Sequence, residues 1–104
     1  MKYIVMSALL GLAIASGAVF AADAQALLRD KACLSCHQLD KKVVGPAYKD
    51  VAAKYKARKD AEAYLVSKIK GGSTGVWGPI PMPPNGTVND AEAHTLAKFI
   101  LTVK

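Results

Sequence analysis

Five residues constrain this chain more than any other stretch. Cys33-Leu34-Ser35-Cys36-His37 contains both cysteines of the sequence and places a histidine directly after the second. Two thiols and an imidazole at this spacing admit four chemistries: a disulfide loop, a redox dithiol, half of a zinc site, or an attachment point for haem. A disulfide here would close a tiny loop and remove little entropy from the unfolded chain, so it would be a poor staple. The remaining choices depend on compartment and on what the rest of the chain can bring to the site.

The compartment is written at the N-terminus. Lys2 is followed by an almost unbroken apolar run from Tyr3 to Phe20 and then by Ala21 and Ala22. A short basic region, an apolar region and small residues at the end read as a secretory signal peptide. Cleavage after Ala21 leaves Val19 and Ala21 at the two selective positions, so residues 1–21 are expected to be the leader and residues 22–104 the mature domain. The competing reading is an uncleaved anchor, because 18 apolar residues can just span a bilayer. Cleavage is the expected outcome, with no stable membrane insertion afterwards and a periplasmic product.

A mature chain of 83 residues, left when 21 are removed from 104, makes one domain with a marginal core. Such domains generally rely on a disulfide, a metal or a cofactor that supplies buried surface. Its formal charge falls from +6 to +5, because Lys2 is the only charged side chain in the leader. Basic charge can mean nucleic acid, anionic lipid or an acidic protein. Export and lysines spread along the chain without interleaved aromatics disfavour nucleic acid, and leave an acidic protein partner as the expectation.

The mature sequence reads as helices without strands. Ala24, Leu27, Leu28 and Ala32 recur at helical spacing over residues 23–32, with Asp23 placed to cap the first turn. Pro46 sets the entry to a second helix with Tyr48, Val51, Ala52 and Tyr55 on one face. Asp60 is expected to cap a third, carrying Ala61, Tyr64, Leu65, Lys68 and Ile69 on one side until Gly71-Gly72. Residues 71–89 hold five glycines and four prolines and form neither regular helix nor central strand. Their Val76, Trp77, Ile80 and Met82 argue for a shaped loop and against disorder. Asp90 is expected to cap a last helix with Ala93, Leu96, Ala97, Ile100 and Val103 inward.

In this context the cysteine cluster can be resolved. A thioredoxin-like dithiol needs a βαβ setting, and only helix and loop surround residues 33–36. Zinc would require His37 and His94, which lie 57 positions apart, where a finger places its two histidines three to five apart. Cys-x-x-Cys-His is the attachment signature of c-type haem: the two thiols can reach two vinyl groups of one porphyrin, and His37 then lies under the iron. A second axial ligand is available in Met82, the single methionine left after the leader is removed. Its setting, Ile80-Pro81-Met82-Pro83-Pro84-Asn85, stiffens the backbone so that little ordering entropy remains to be lost. His94 is the rival, but it sits off the apolar stripe of the last helix and is expected at the surface.

Taken together, Cys33 to His37, Val44-Gly45-Pro46-Ala47, Lys70-Gly71-Gly72-Ser73, Gly75-Val76-Trp77-Gly78 and Ile80 to Asn85 make the whole mature chain resemble the small bacterial class I cytochromes c of the c-551/c-552 group. The resemblance implies an all-α fold of about four short helices around one haem c attached through Cys33 and Cys36. It implies His37 and Met82 as the iron ligands. Pro46 would offer its carbonyl to the other ring nitrogen of His37, Trp77 would donate to a haem propionate, Asn85 would approach the Met82 sulfur, and Lys68 matches a basic position near a propionate. Some relatives carry an aromatic where Leu28 stands, so packing of the first helix is expected to differ from theirs.

The implied function is one-electron transport without catalysis. The expected product is a monomeric carrier between an upstream donor and a terminal oxidase, nitrite reductase or peroxidase, docking through a rim that includes Lys41 and Lys42. The alternative is a haem enzyme or gas-binding protein with a displaceable Met82.

Overall fold

A computed structural model describes residues 16–104, with side chains from Asp23 onward. Most of the expected leader lies outside the described residues. Four helices appear in chain order: α1 (Ser16–Asp30), α2 (Tyr48–Tyr55), α3 (Ala61–Gly71) and α4 (Asp90–Ile100), with a single 3-10 turn at Cys33–Ser35. Among the described residues there is no strand, and no helix is long and apolar enough to cross a membrane.

Each helix buries most of the stripe that its periodicity marks, but Ala32 lies beyond α1 and is exposed, and Tyr64 and Lys68 of α3 are only partly buried. Ala24 and Leu28 of α1, Tyr48, Val51 and Tyr55 of α2, Ala61, Leu65 and Ile69 of α3, and Ala93, Leu96, Ala97 and Ile100 of α4 form one contiguous core. The last helix is the hub, packing against α1, α2 and α3. Two further core residues, Val88 and Phe99, escaped the sequence reading. Val88 sits in the loop, and Phe99 widens the inward stripe of α4. Leu28 is almost fully enclosed at 1% exposure, so the smaller residue fills its place in α1 without leaving an open face.

The ends of the helices depart from expectation. Helix α1 begins upstream, at Ser16, and Asp23 lies within it; the alanine-rich stretch around it favours continuation over a cap. Asp60 occupies the N-cap position of α3 but makes no capping bond. Its carboxylate is taken by the Arg58 guanidinium, with Arg58 Nη2 3.1 Å from Asp60 Oδ2. Helix α4 is capped by Asn89 and not by Asp90. Asn89 Oδ1 accepts from the Glu92 N–H at 2.8 Å, and Glu92 Oε1 accepts from the Asn89 N–H at 3.0 Å. This reciprocal pair satisfies two otherwise orphaned donors. Asp90 instead pairs with Lys70 at the end of α3. Val103, placed on the α4 stripe by its spacing, lies beyond the helix and is only partly buried against the core.

Candidate functional site

Helix α1 ends in a tight turn that sets up the cysteines. Ala32 adopts φ 59°, after which Cys36 N–H and His37 N–H both donate to Cys33 O, at 3.2 and 2.9 Å. The chain then folds back so that Cys36 O accepts from Val44 N–H at 3.1 Å and Gly45 N–H at 2.8 Å. Tyr48 N–H donates to Gln38 O at 2.9 Å, tying the start of α2 to the same loop. The two cysteine sulfurs are not joined to each other. Burial pushes the Cys33 thiol up from its ordinary value.

His37 is held from three sides. Its Nδ1 lies 2.7 Å from Pro46 O; a carbonyl can only accept, so Nδ1 carries the proton and Nε2 is left with a lone pair. The ring stacks on Tyr48, with centroids 4.8 Å apart and planes 19° from parallel. Gly45 presses against the third side: a Cβ there would stand 2.5 Å from His37 Cε1. Only glycine permits that approach. His37 is 8% exposed, the one buried polar residue among those described.

Met82 arrives from the long loop, and its backbone is fixed before its side chain is considered. Ser73 and Met82 exchange two hydrogen bonds, Ser73 N–H to Met82 O at 2.9 Å and Met82 N–H to Ser73 O at 2.8 Å. Gly72, with φ 78°, makes room for this bridge, since a Cβ would stand 2.5 Å from Met82 O. Asn85 anchors the far end of the loop on α3. Its backbone N–H and its side-chain amide both donate to Ile69 O, at 3.1 and 3.0 Å. The amide therefore has one N–H left, and its recorded contact is with Ile69 and not with the Met82 sulfur.

These pieces meet in one open cleft. It is lined by Cys33, Cys36 and His37, by Trp77, Met82 and Asn85, and by Pro46 and Lys68. Its remaining walls are mostly apolar, among them Leu28, Val51, Leu65, Ile69 and Leu96. His94 is elsewhere: it is half exposed on α4, with Nδ1 3.4 Å from Glu62 Oε1. Among the described residues no three His, Cys, Asp or Glu side chains gather as a metal site, which leaves the zinc reading without a donor set.

Tyr55 and Tyr64, both expected on inward helical stripes, also line the cleft beside Trp77. Tyr55 and Tyr64 pack with centroids 4.8 Å apart and hydroxyls 3.5 Å apart, and the Trp77 ring stands edge-on to Tyr55 at 6.2 Å. Burial, followed by the Tyr64 hydroxyl, pushes the Tyr55 phenol up to about 12, while the Trp77 side chain acts in the opposite direction. Lys54 lies over Trp77 at 4.6 Å, and Arg58 and Lys68 lie over Tyr64 at 4.0 and 5.2 Å. The available signal was the phenol itself, since a tyrosine on a buried stripe needs a partner for its hydroxyl.

The profile of the cytochrome c family matches residues 21–104. The chain belongs to the cytochrome c family. It is 55% identical over 101 residues to cytochrome c-552 of Nitrosomonas europaea, an alignment covering 94% of this chain and 98% of that one. It is 56% identical over 94 residues to cytochrome c-551 of Pseudomonas aeruginosa, covering 90% and 88%. The crystal structure of wild-type Nitrosomonas europaea cytochrome c552 superposes with a TM-score of 0.75 at 59% identity, covering 77% of this chain and 99% of that one. This is a small class I c-type cytochrome, all-α as expected. It is an electron carrier and not an enzyme, with one haem c covalently bound to its two cysteines. The cleft fits that group. Both thiols line it beside the imidazole of His37, whose Nδ1 is taken by Pro46 O.

Proposed function

We propose that this cytochrome c is a periplasmic carrier of single electrons between respiratory-chain components, with His37 and Met82 as the residues that would bind its haem iron. The observation that supports it is the pairing of two donors in one cleft, the His37 ring tied to Pro46 O at 2.7 Å and the Met82 backbone tied to Ser73 by a double bridge. The haem supplies a one-electron couple between ferrous and ferric iron.

The residues of the chain do the rest. Pro46 fixes the tautomer and orientation of the His37 ring. Met82 offers a neutral thioether that favours the less charged ferrous state. With the His37 ring held by Pro46 O and the Met82 backbone held by Ser73, the chain would offer the same two donors to either oxidation state. Trp77, Lys68 and Asn85 all line the cleft: Trp77 would donate its indole N–H to a haem propionate, Lys68 would offer a propionate its ammonium, and the remaining N–H of Asn85 would serve the Met82 sulfur. Residues 1–21 serve as the export signal. Docking uses the rim where the exposed Lys41 and Lys42 adjoin the exposed Val43, Val44 and Ile80; Lys42, Val44 and Ile80 also line the cleft. A terminal oxidase, nitrite reductase or peroxidase, with an upstream donor, is the class of partner, and the carrier works as a monomer. The alternative of an open, reactive iron gains no acid-base group from His94, which does not line the cleft.

Met82→Ala tests the ligand set. The ferric holoprotein should lose the weak red absorption band of methionine-ligated haem, and the ferrous form should become reactive to carbon monoxide. Survival of the band in this variant rules out Met82 as the ligand.

A further inference from the structure

Trp77 is an odd residue to entrust with a fixed hydrogen bond. It sits in a glycine-rich segment, Gly75-Val76-Trp77-Gly78, whose two glycines have positive φ values of 74° and 120°, and it is 38% exposed. What restrains it comes from α2: Lys54 places its ammonium 4.6 Å above the indole and 5.5 Å from the neighbouring Tyr55 ring. Tyr55 is buried at 7% exposure and presents its ring edge-on to the indole at 6.2 Å. Lys54 thus lies over a rigid ring of a helix and a loosely tethered ring of a loop at the same time.

We propose that Lys54 is a positioning residue for Trp77: its ammonium clamps the indole against Tyr55 by cation-π attraction and so holds the indole N–H at the cleft. Three facts make this more than a surface contact. The distance to Trp77 is within the range of about 6 Å over which the ring quadrupole attracts a cation. Lys54 has no carboxylate partner in the ion pairs of the described residues, which involve Lys31, Arg58, Lys70 and Lys98 together with His94. And both rings beneath it line the cleft. The inference rests on the reading of Trp77 as a propionate donor only for its consequence; the clamp itself is a matter of the three side chains.

A cation-π contact at an exposed site should slow escape of the indole about two- to five-fold. The test uses the folded holoprotein and follows hydrogen exchange of the Trp77 indole N–H by NMR, together with the reduction potential. In Lys54→Met, which keeps the aliphatic stem, exchange should quicken about two- to five-fold and the potential should fall, because a cation and a held donor are lost near the cofactor. Lys54→Arg should restore both, since guanidinium also stacks on indole. Unchanged exchange in Lys54→Met, or failure of Lys54→Arg to restore it, overturns the clamp. A Trp77→Leu variant separates the two readings. If its potential matches the wild type, the propionate role of Trp77 fails; if the potential moves while Lys54→Met leaves exchange unchanged, the propionate role stands and the clamp is wrong.

Discussion

Ala32 carries a side chain in a left-handed backbone, φ 59°, one residue before the first attachment cysteine. For an L-residue other than glycine that conformation costs about 1–2 kcal/mol, and here it ends α1 and starts the turn that aims Cys33 and Cys36. Glycine adopts it freely, at the cost of a more disordered unfolded chain worth about 0.4–1 kcal/mol. Ala32→Gly is therefore expected to stabilise the holoprotein by about 0.5–1 kcal/mol, measured as a higher guanidinium midpoint with an unchanged absorption spectrum; an unchanged midpoint would mean that the strain is absorbed elsewhere. Residues of this kind show how far the site was legible. Cys33, Cys36, His37 and Met82 could be picked out because their side-chain chemistry is rare and their spacing or flanking residues are distinctive. The strain at Ala32 and the contact that forces glycine at position 45 depend on backbone angles and on a ring brought in from another loop, and no local pattern records either. The partner of the Asn85 amide, Ile69 O, was invisible for the same reason.

Elements were legible in their interiors and uncertain at their ends. All four expected inward residues of α2 are buried, because a helical stripe repeats and so carries redundant information. A cap is one residue, and neighbours compete for it: Asn89 and Asp90 are both good caps, and Glu92, three residues after Asn89, decides between them by completing the reciprocal pair. Asp90 is thereby freed to join α4 to α3 through Lys70. That bond holds the Asp90 carboxyl below its ordinary value of 3.8, and Arg58 does the same for Asp60. A carboxyl with a depressed folded value contributes stability that is fully present above its unfolded value and is lost as pH falls through the folded one. Asp90→Asn should thus lower the melting temperature at neutral pH, and the difference from wild type should shrink steadily from about pH 4 downward. Because the pair is exposed, the effect is small and weakens with added salt; a difference independent of pH would assign it to something other than the carboxylate.

At the scale of the whole molecule, the basic excess read from the sequence, +6 for the full chain, would act on an acidic partner through long-range attraction. Electron transfer to an acidic redox partner should slow markedly as ionic strength rises from about 10 mM to 150 mM, where the screening length contracts from roughly 30 to 8 Å; stopped-flow rates that stay flat over this range would remove lysine steering from the account. The general plan of helices around a cofactor was legible because the chain is too short to fill a core alone, whereas the order of packing was not, since it depends on which faces meet at a distance. One such meeting, α4 against α1, has a consequence for biogenesis. The first and last helices complete each other, so a polypeptide emerging N-terminus first cannot close until its final turn is free. Until then the cysteines remain on an open thread, accessible to whatever machinery must join them to the porphyrin.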